Sequence, residues 1–324
     1  MGVFFTSIQS VLVVVLIMIL GYVLRKTGWF ADTFSKNISK LIKNIALPAS
    51  IFVAVLNKLT RDKLVGFSSY LIWGIISVVI GYIIAFALVK IMKIRVGRRG
   101  VFINAIVNAN TIFIGLPLNL ALFGNDSMTY FLVYYIINTV STWAFGVFLI
   151  SNDDPTKKDQ PKGHNKINLK QVLPMPLVGF IVALIFLLLN IPVLQVPFIS
   201  QTLSYVGSLV TPLSLIYIGI VLADAGLKSI SFDRDTVVAL IGRFIIAPAV
   251  MVGILVLAMH GGVSLPSMFN QTMIVQSATP MLAVLPILAA EAHGDVKYAT
   301  NIVTTSTILF IVVIPILMAI VQFI

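Results

Sequence analysis

Asn108-Ala109-Asn110-Thr111 and Gln276-Ser277-Ala278-Thr279 are the residues of this chain best equipped for chemistry. Helix breakers follow each group: Gly115 and Pro117 after the first, Pro280 and Pro286 after the second. The side chains are neutral amides and hydroxyls, able to replace part of an ion's hydration. A broken helix adds unpaired N–H groups and the positive end of its dipole. Neutral donors also hold a carboxylate without the desolvation cost of a full buried ion pair. Reversible binding of a small anion is the chemistry that this set supports.

The surroundings of both groups are apolar. No charged residue occurs from Gly100 to Asn125, and roughly 20 residues suffice to cross a bilayer. Backbone freed at that depth must be buried in protein or line a cavity. Paired Gly/Pro interruptions in two halves of a membrane chain point to a transport site. Composition agrees: 59% of residues are hydrophobic, 10% are charged and mean hydropathy is +1.06, against about a quarter charged in soluble domains. There is no cysteine, which excludes disulfides and thiolate metal sites. The net charge of +11 sits in short clusters between apolar runs, a loop pattern rather than a nucleic-acid surface. The first 24 residues carry no charge and lead into Arg25-Lys26, which reads as a first span and not a signal peptide.

Uncharged runs, divided at polar or Pro/Gly clusters, predict ten helices near 5–24, 38–57, 66–89, 100–123, 128–150, 171–189, 200–223, 236–259, 266–290 and 298–322. Lys40 and Lys43 intrude on the second and are read as snorkelling from its cytoplasmic end. With the N-terminus outside, the outer loops hold only Lys58, Arg61 and Lys63 of the 22 basic residues. That asymmetry places both termini outside. Residues 151–170 are polar, lack an apolar period and divide the spans five and five. They read as a cytoplasmic linker between a first repeat, 1–150, and a second, 171–324.

Duplication is visible in the residues. Pro48-Ala49-Ser50 in the second span matches Pro212-Leu213-Ser214 in the seventh, and the broken fourth span has its partner in the ninth at a similar offset. Five spans per repeat force the halves into opposite orientations. The expected fold is an all-α membrane protein of ten transmembrane helices in a five-plus-five inverted repeat.

Ala46-Leu47-Pro48-Ala49-Ser50-Ile51-Phe52, Asn110-Thr111-Ile112-Phe113-Ile114-Gly115-Leu116-Pro117, and Pro280 to Pro286 with Glu291 carry a resemblance over essentially the whole chain. It resembles the auxin efflux carrier family, which includes bacterial malate and malonate permeases and plant auxin carriers. The resemblance implies two broken helices, the fourth and ninth, crossing at mid-membrane. It implies a dimerising scaffold of helices one, two, six and seven and a mobile transport domain of helices three to five and eight to ten. It also implies elevator-type transport of malate-like or auxin-like organic anions across the cell membrane by a homodimer. Pro280 and Pro286 stand one residue further apart than in the plant pattern, and the long plant loop is absent.

Single residues then divide by role. Asn108, Asn110, Thr111, Gln276, Ser277 and Thr279 are expected at the substrate. Asn138 has two readings, substrate donor or glue between helices. Ser50 and Ser214 are read as re-satisfying carbonyls freed by their prolines. Tyr217 reaches a central cavity or is packed core, and Asn104 and Asn119 are read as packing. Arg243, about two turns inside the eighth span, either snorkels to the cytoplasmic surface or pairs with Asp224. Glu291 is a coupling carboxylate or a solvated cap, so Asp224, Arg243 and Glu291 form a set for coupling or gating. His164, His260 and His293 lack metal-ligand spacing, so no metal and no cofactor is expected. There is no nucleotide-binding GxxxxGK[ST] loop, HExxH or GxSxG, and no catalytic residues are assigned. A sodium/proton antiporter and an anion channel stand as alternatives. The antiporter reading calls for acidic residues beside the breaks, and none occurs from Gly100 to Asn125 or from Thr236 to Ala290.

Overall fold

Proline decides where several helices change their winding. Pro48, Pro117 and Pro248 are each the second residue of a helix, and the five residues before that helix form a π-helical turn: Ile42–Ala46, Thr111–Gly115 and Gly242–Ile246. A proline lacks the N–H that a helix requires and its ring crowds the carbonyl four residues back. One wide turn before it relieves both constraints.

The computed structural model describes residues 2–157, 175–226 and 230–321. Most of the expected linker, 158–170, and residues 171–174 of the sixth run lie outside the described residues. Helices form α1 (Gly2–Lys26), α2 (Phe34–Leu41), α3 (Leu47–Lys58), α4 (Arg61–Ile91), α5 (Arg99–Val107), α6 (Leu116–Phe123), α7 (Met128–Val140) and α8 (Val147–Asn152). They continue as α9 (Met175–Leu188), α10 (Pro197–Ser208), α11 (Val210–Ala225), α12 (Arg234–Ile241), α13 (Ala247–His260), α14 (Ser267–Ser277), α15 (Leu285–Glu291) and α16 (Val296–Val321). There is no strand among the described residues, only one isolated antiparallel bridge, Ala109 with Met281. Among the described residues, six helical stretches are long and apolar enough to cross a membrane: Phe34–Asn57, Ser68–Ile91, Asn125–Asn152, Pro197–Ala225, Arg234–His260 and Val296–Val321. Thr111–Phe123 and Met175–Leu188 are apolar but shorter. This is an all-α membrane protein.

Contacts divide the chain into two units. The first holds Met1–Leu71, Ile112–Val133 and Leu173–Asp224. Its helices meet at glycines. A Cβ on Gly219 would lie 2.0 Å from the Met18 carbonyl oxygen, and one on Gly21 would lie 2.3 Å from that of Ile216. So α1 and α11 touch backbone to backbone, as small residues permit in lipid. Gly179 of α9 and Gly207 of α10 likewise sit against Pro48 and Ser50 of α3. Arg25 closes one end, bonding Asp224 at 2.6 Å, Asp32 at 2.5 Å and the Phe30 carbonyl at 2.7 Å.

The second unit holds Ile72–Thr111, Tyr134–Val172 and Ala225–Ile324. Five helix ends gather at one of its ends. Asp233 caps α12 through the Thr236 N–H, and Asp295 accepts from the Tyr298 N–H in the first turn of α16. Arg98, just before α5, bonds Asp295 at 2.7 Å, Asp233 at 2.9 Å and Asp235 at 3.1 Å, and lies 4.4 Å from the Tyr298 ring centre. Arg95 also pairs with Asp295. Arg234 donates to the Met92 carbonyl beyond α4, and Asp153 beyond α8 accepts from the Gly100 N–H. Burial by itself would lower the Arg98 pKa and raise those of Asp233 and Asp295. The caps and ion pairs outweigh it, so Arg98 is raised and both carboxylates are lowered.

Candidate functional site

Two helical runs of the second unit stop at mid-course. The first leaves helix after Val107 and the second after Ser277, and their extended residues pair as Ala109 against Met281. In a continuous helix the Asn110 N–H would bond the Ile106 carbonyl, four residues back. It bonds the Pro280 carbonyl instead, at 2.8 Å. By the same spacing the Met281 N–H belongs to the Ser277 carbonyl, but it reaches the Ser306 hydroxyl at 3.3 Å. Two carbonyls are thereby released, and buried polar groups left unmade are costly.

Arg243 takes both. Its Nη1 donates to the Ile106 carbonyl at 3.0 Å and its Nη2 to the Ser277 carbonyl. The side chain is fully buried, and no carboxylate pairs with it among the described residues. The π-helical turn before Pro248 contains Arg243 and adds a residue to the helix just there. This corrects both sequence readings of Arg243. It does not snorkel, and Asp224 is engaged by Arg25 in the other unit. The physical reason is local: two freed carbonyls at helix C-termini attract a cation more strongly than a distant surface does.

Asn138 is a clamp. Its Oδ1 accepts from the Ala109 N–H at 2.8 Å and its Nδ2 donates to the Ala109 carbonyl at 2.9 Å, so one amide satisfies both main-chain groups of the bridging residue. The same Nδ2 lies 3.4 Å from the Thr111 hydroxyl. Of its two sequence readings, glue describes these bonds. Asn108 donates to the Asn104 amide oxygen at 2.8 Å and accepts from the Ser141 hydroxyl at 2.6 Å. Asn104 goes on to the Gly100 and Gly146 carbonyls, in line with its reading as packing. Tyr82 joins this chain through the Ser141 hydroxyl at 3.0 Å.

On the other strand of the crossing, Thr279 donates to the Gln276 carbonyl at 2.9 Å and Ser277 to the Ile274 carbonyl at 2.7 Å. Asn108, Asn110, Thr111, Asn138, Gln276, Ser277 and Thr279 are all buried and all belong to this one neighbourhood of the second unit or its edge. Gly115 ends the π-helical turn that restarts the first run, Pro117 opens α6, Pro280 supplies the bridging carbonyl and Pro286 opens α15. Glu291 is exposed at the last residue of α15, away from the crossing, which matches the solvated reading. Beside the crossing lies a cavity of about 20 Å³, lined by Ser77, Tyr134 and Ser277 among others, room for about one water.

The first unit holds a much larger cavity of about 500 Å³. Ser50, Asn57, Asn125, Ser204, Ser208 and Thr211 supply its polar lining, and none of the lining residues is charged. Ser50 therefore faces a cavity, while the Ser214 hydroxyl is buried with no hydrogen-bond partner among the described residues. Neither hydroxyl restores a freed carbonyl, because the π-helical turn before Pro48 and the break between α10 and α11 before Pro212 already accommodate the prolines. Tyr217 is packed, its ring 4.5 Å from that of Phe113. Asn119 bonds Ser127, in line with packing. Sequence reasoning missed Tyr82, Ser141 and Ser306. A visible signal existed for the last: Thr304-Thr305-Ser306-Thr307 puts four hydroxyls together in an apolar span.

Apolar helices interrupted at mid-course by a buried polar crossing define a multi-pass membrane protein of the transporter class. The chain belongs to the membrane transport protein family, that of the auxin efflux carriers, whose model matches residues 6–318. It is 24% identical over 318 residues to an uncharacterised transporter of Methanothermobacter thermautotrophicus, covering 97% of this chain and 98% of that protein. It is also 24% identical over 307 residues to an uncharacterised transporter of Methanocaldococcus jannaschii, covering 94% and 95%. Members of this family are transporters, not enzymes.

Proposed function

We propose that the protein is a secondary transporter of small organic anions, malate-like carboxylates or auxin-like acids, working by elevator-type alternating access. The observation that carries this reading is the pair of helices held open at mid-course. Asn110 and Met281 each give their N–H to a partner outside their own helix, in a chain of a membrane transport family. An open backbone that deep is tolerated where it serves a substrate path. Asn108, Asn110, Thr111, Gln276, Ser277 and Thr279 are the polar groups assigned to the substrate, with Asn138 supporting them through Ala109. The uncharged polar cavity of the first unit has a volume suited to a small ligand in transit.

Ten crossings in two inverted repeats of five accompany this reading. The chain ends of α4 and α8 and the starts of α5, α12 and α16 meet at one end of the second unit, as alternating crossings require. Arg95, Arg98, Arg99, Arg234 and Lys297 lie at or beside those helix ends, which supports a cytoplasmic side for that end. Both termini then face outward across the cell membrane. Helices three to five and eight to ten form the moving body, and helices one, two, six and seven the scaffold, through which two copies pair. Most of the moving body falls in the second unit, while residues 112–133 fall in the first. An antiporter calls for a carboxylate at the breaks. The described acidic residues of the second unit, Asp153, Asp154, Asp233, Asp235, Glu291 and Asp295, all stand at helix ends.

Uptake of labelled malate, malonate and indole-3-acetate into proteoliposomes tests the function. A carrier is accelerated when the same acid is loaded on the far side. Equal rates with and without internal acid would mean a channel, and no uptake of any carboxylate would end the reading. Asn110→Ala refines the site. The bond to Pro280 runs through the main chain and survives the substitution, so an affinity loss of about tenfold, near 1.4 kcal/mol, at unchanged melting temperature would assign the side chain to the substrate.

A further inference from the structure

Arg243 is the largest fully buried side chain among the described residues, and it serves neither reading the sequence offered. Its two carbonyl partners are those whose helical donors were diverted at the two breaks, Ile106 by Asn110 and Ser277 by Met281. Both carbonyls lie in the last turn of a half-helix, α5 and α14. A helix C-terminus carries about half a unit of negative charge. Two of them directed at one point amount to about one negative charge, which a single guanidinium offsets. No acidic residue occurs between Gly100 and Asn125 or between Thr236 and Ala290 to add to either side of that balance.

We infer that Arg243 is the specificity-determining residue of the crossing. It acts through the two half-helix ends and does not touch the substrate. With its charge in place, the carbonyl ends are neutralised and the neighbourhood accepts an anion. Without it, the same carbonyls present about one uncompensated negative charge and repel a carboxylate. The neutral amides around it then supply hydrogen bonds, and Arg243 supplies the sign. This inference rests on the anion-transport reading of the crossing.

The test compares each of three acids, malate, malonate and indole-3-acetate, with its own amide. Binding is read by thermal shift on purified wild type, Arg243→Met and Arg243→Lys. Wild type is expected to bind at least one acid tenfold or more tightly than its amide. Arg243→Met should erase or reverse that preference while keeping the amide affinity within about twofold. Arg243→Lys restores the charge as a point rather than a fork and should recover the preference. A purely structural role would weaken acid and amide together and leave their ratio unmoved in both variants, and that result overturns the inference. A wild type that binds no acid at all overturns the anion reading itself, and this inference falls with it. Should Arg243→Met not yield monodisperse protein, Arg243→Gln, neutral but still a hydrogen-bond donor, decides. A folded Arg243→Gln that loses the acid preference upholds the role of charge, and one whose acid-to-amide ratio is unmoved refutes it.

Discussion

In the first unit, Gly21 and Gly219 let α1 and α11 touch backbone to backbone, and a cavity of about 500 Å³ is lined by hydroxyls and amides, of which Ser208 donates to the Tyr205 carbonyl. In the second, Asn108, Asn138 and Arg243 tie helices through hydrogen bonds, and the space left beside them is about 20 Å³. Lipid offers no hydrophobic drive for helices to meet, so packing of small residues and interhelical hydrogen bonds must do it. The first device spends no polar group and leaves them free to face a cavity. The second spends nearly all of them on holding a helix open, since each freed main-chain group must find a partner. A helix break is therefore expensive in polar side chains, and the amides nearest to it are not automatically the ones facing a ligand.

The sharpest break of this comparison is Asn138→Leu. It strands the N–H of Ala109, worth about 1–3 kcal/mol when buried unpaired, and leaves the Ala109 carbonyl with only the Thr111 N–H at 2.9 Å. We expect the largest fall in detergent melting temperature of any single amide in the crossing, and an unchanged melting point would mean that Asn138 is no clamp. Gly219→Ala is next. Its Cβ would collide with the Met18 carbonyl, an overpacking cost of about 1–3 kcal/mol. Gly253→Ala in α13 meets nothing within 4 Å and should match or gain up to about 1 kcal/mol, as Ala does over Gly in a helix. Equal losses at both glycines would refute close approach as the binding device of the first unit.

Acid should act on the second unit through Asp233 and Asp295. Their folded pKa values lie below the ordinary 3.8, so their stabilisation is fully present above that value and is lost as pH falls through the lowered ones. Melting scans should show no contribution from this network between pH 5 and 8 and a loss below about pH 4. Removing Arg98 (Arg98→Met) should flatten that acid limb. The mildest probe changes no stability at all. Single cysteines at Ser50, in the cavity, and at Ser141, in the buried chain, are clean because the chain has no cysteine of its own. Ser50→Cys should react with a small polar thiol reagent at least tenfold faster than Ser141→Cys; similar rates would erase the distinction between free and spent polar groups.

Much of the fold was legible because lipid imposes simple rules. Charge-free runs had to be helices; of the residues expected to break two of them, Pro280 lies in the interruption of the ninth run, whereas Gly115, Pro117 and Pro286 stand in the helical turns that resume after each break. His260-Gly261-Gly262 and Asn190-Ile191-Pro192 marked their turns, with Gly262 and Asn190 adopting positive φ as such turns require. The site was legible as a neighbourhood and less so in its roles. Asn138 and Asn108 announced polar groups at depth, but an amide offers the same atoms to a backbone as to a ligand. The π-helical turns were not legible at all. Three of them depend on how a helix accommodates a proline against its neighbours, a fourth at Ser141–Gly146 has no proline after it, and the one at Gly242–Ile246 contains the residue whose role changed most.

By itself, then, the sequence determined that this chain lives in a membrane, where its helices run and where two of them break, because hydropathy and missing N–H groups are local properties. It determined the polar inventory at those breaks for the same reason. Only the tertiary structure decided the partners. Asn110 bonds Pro280, 170 residues away, and Arg243 reaches Ile106 and Ser277, 137 and 34 residues away. No local rule specifies such pairs, since a freed carbonyl requires a donor but does not say which one; the packing of helices from both halves of the chain supplies it.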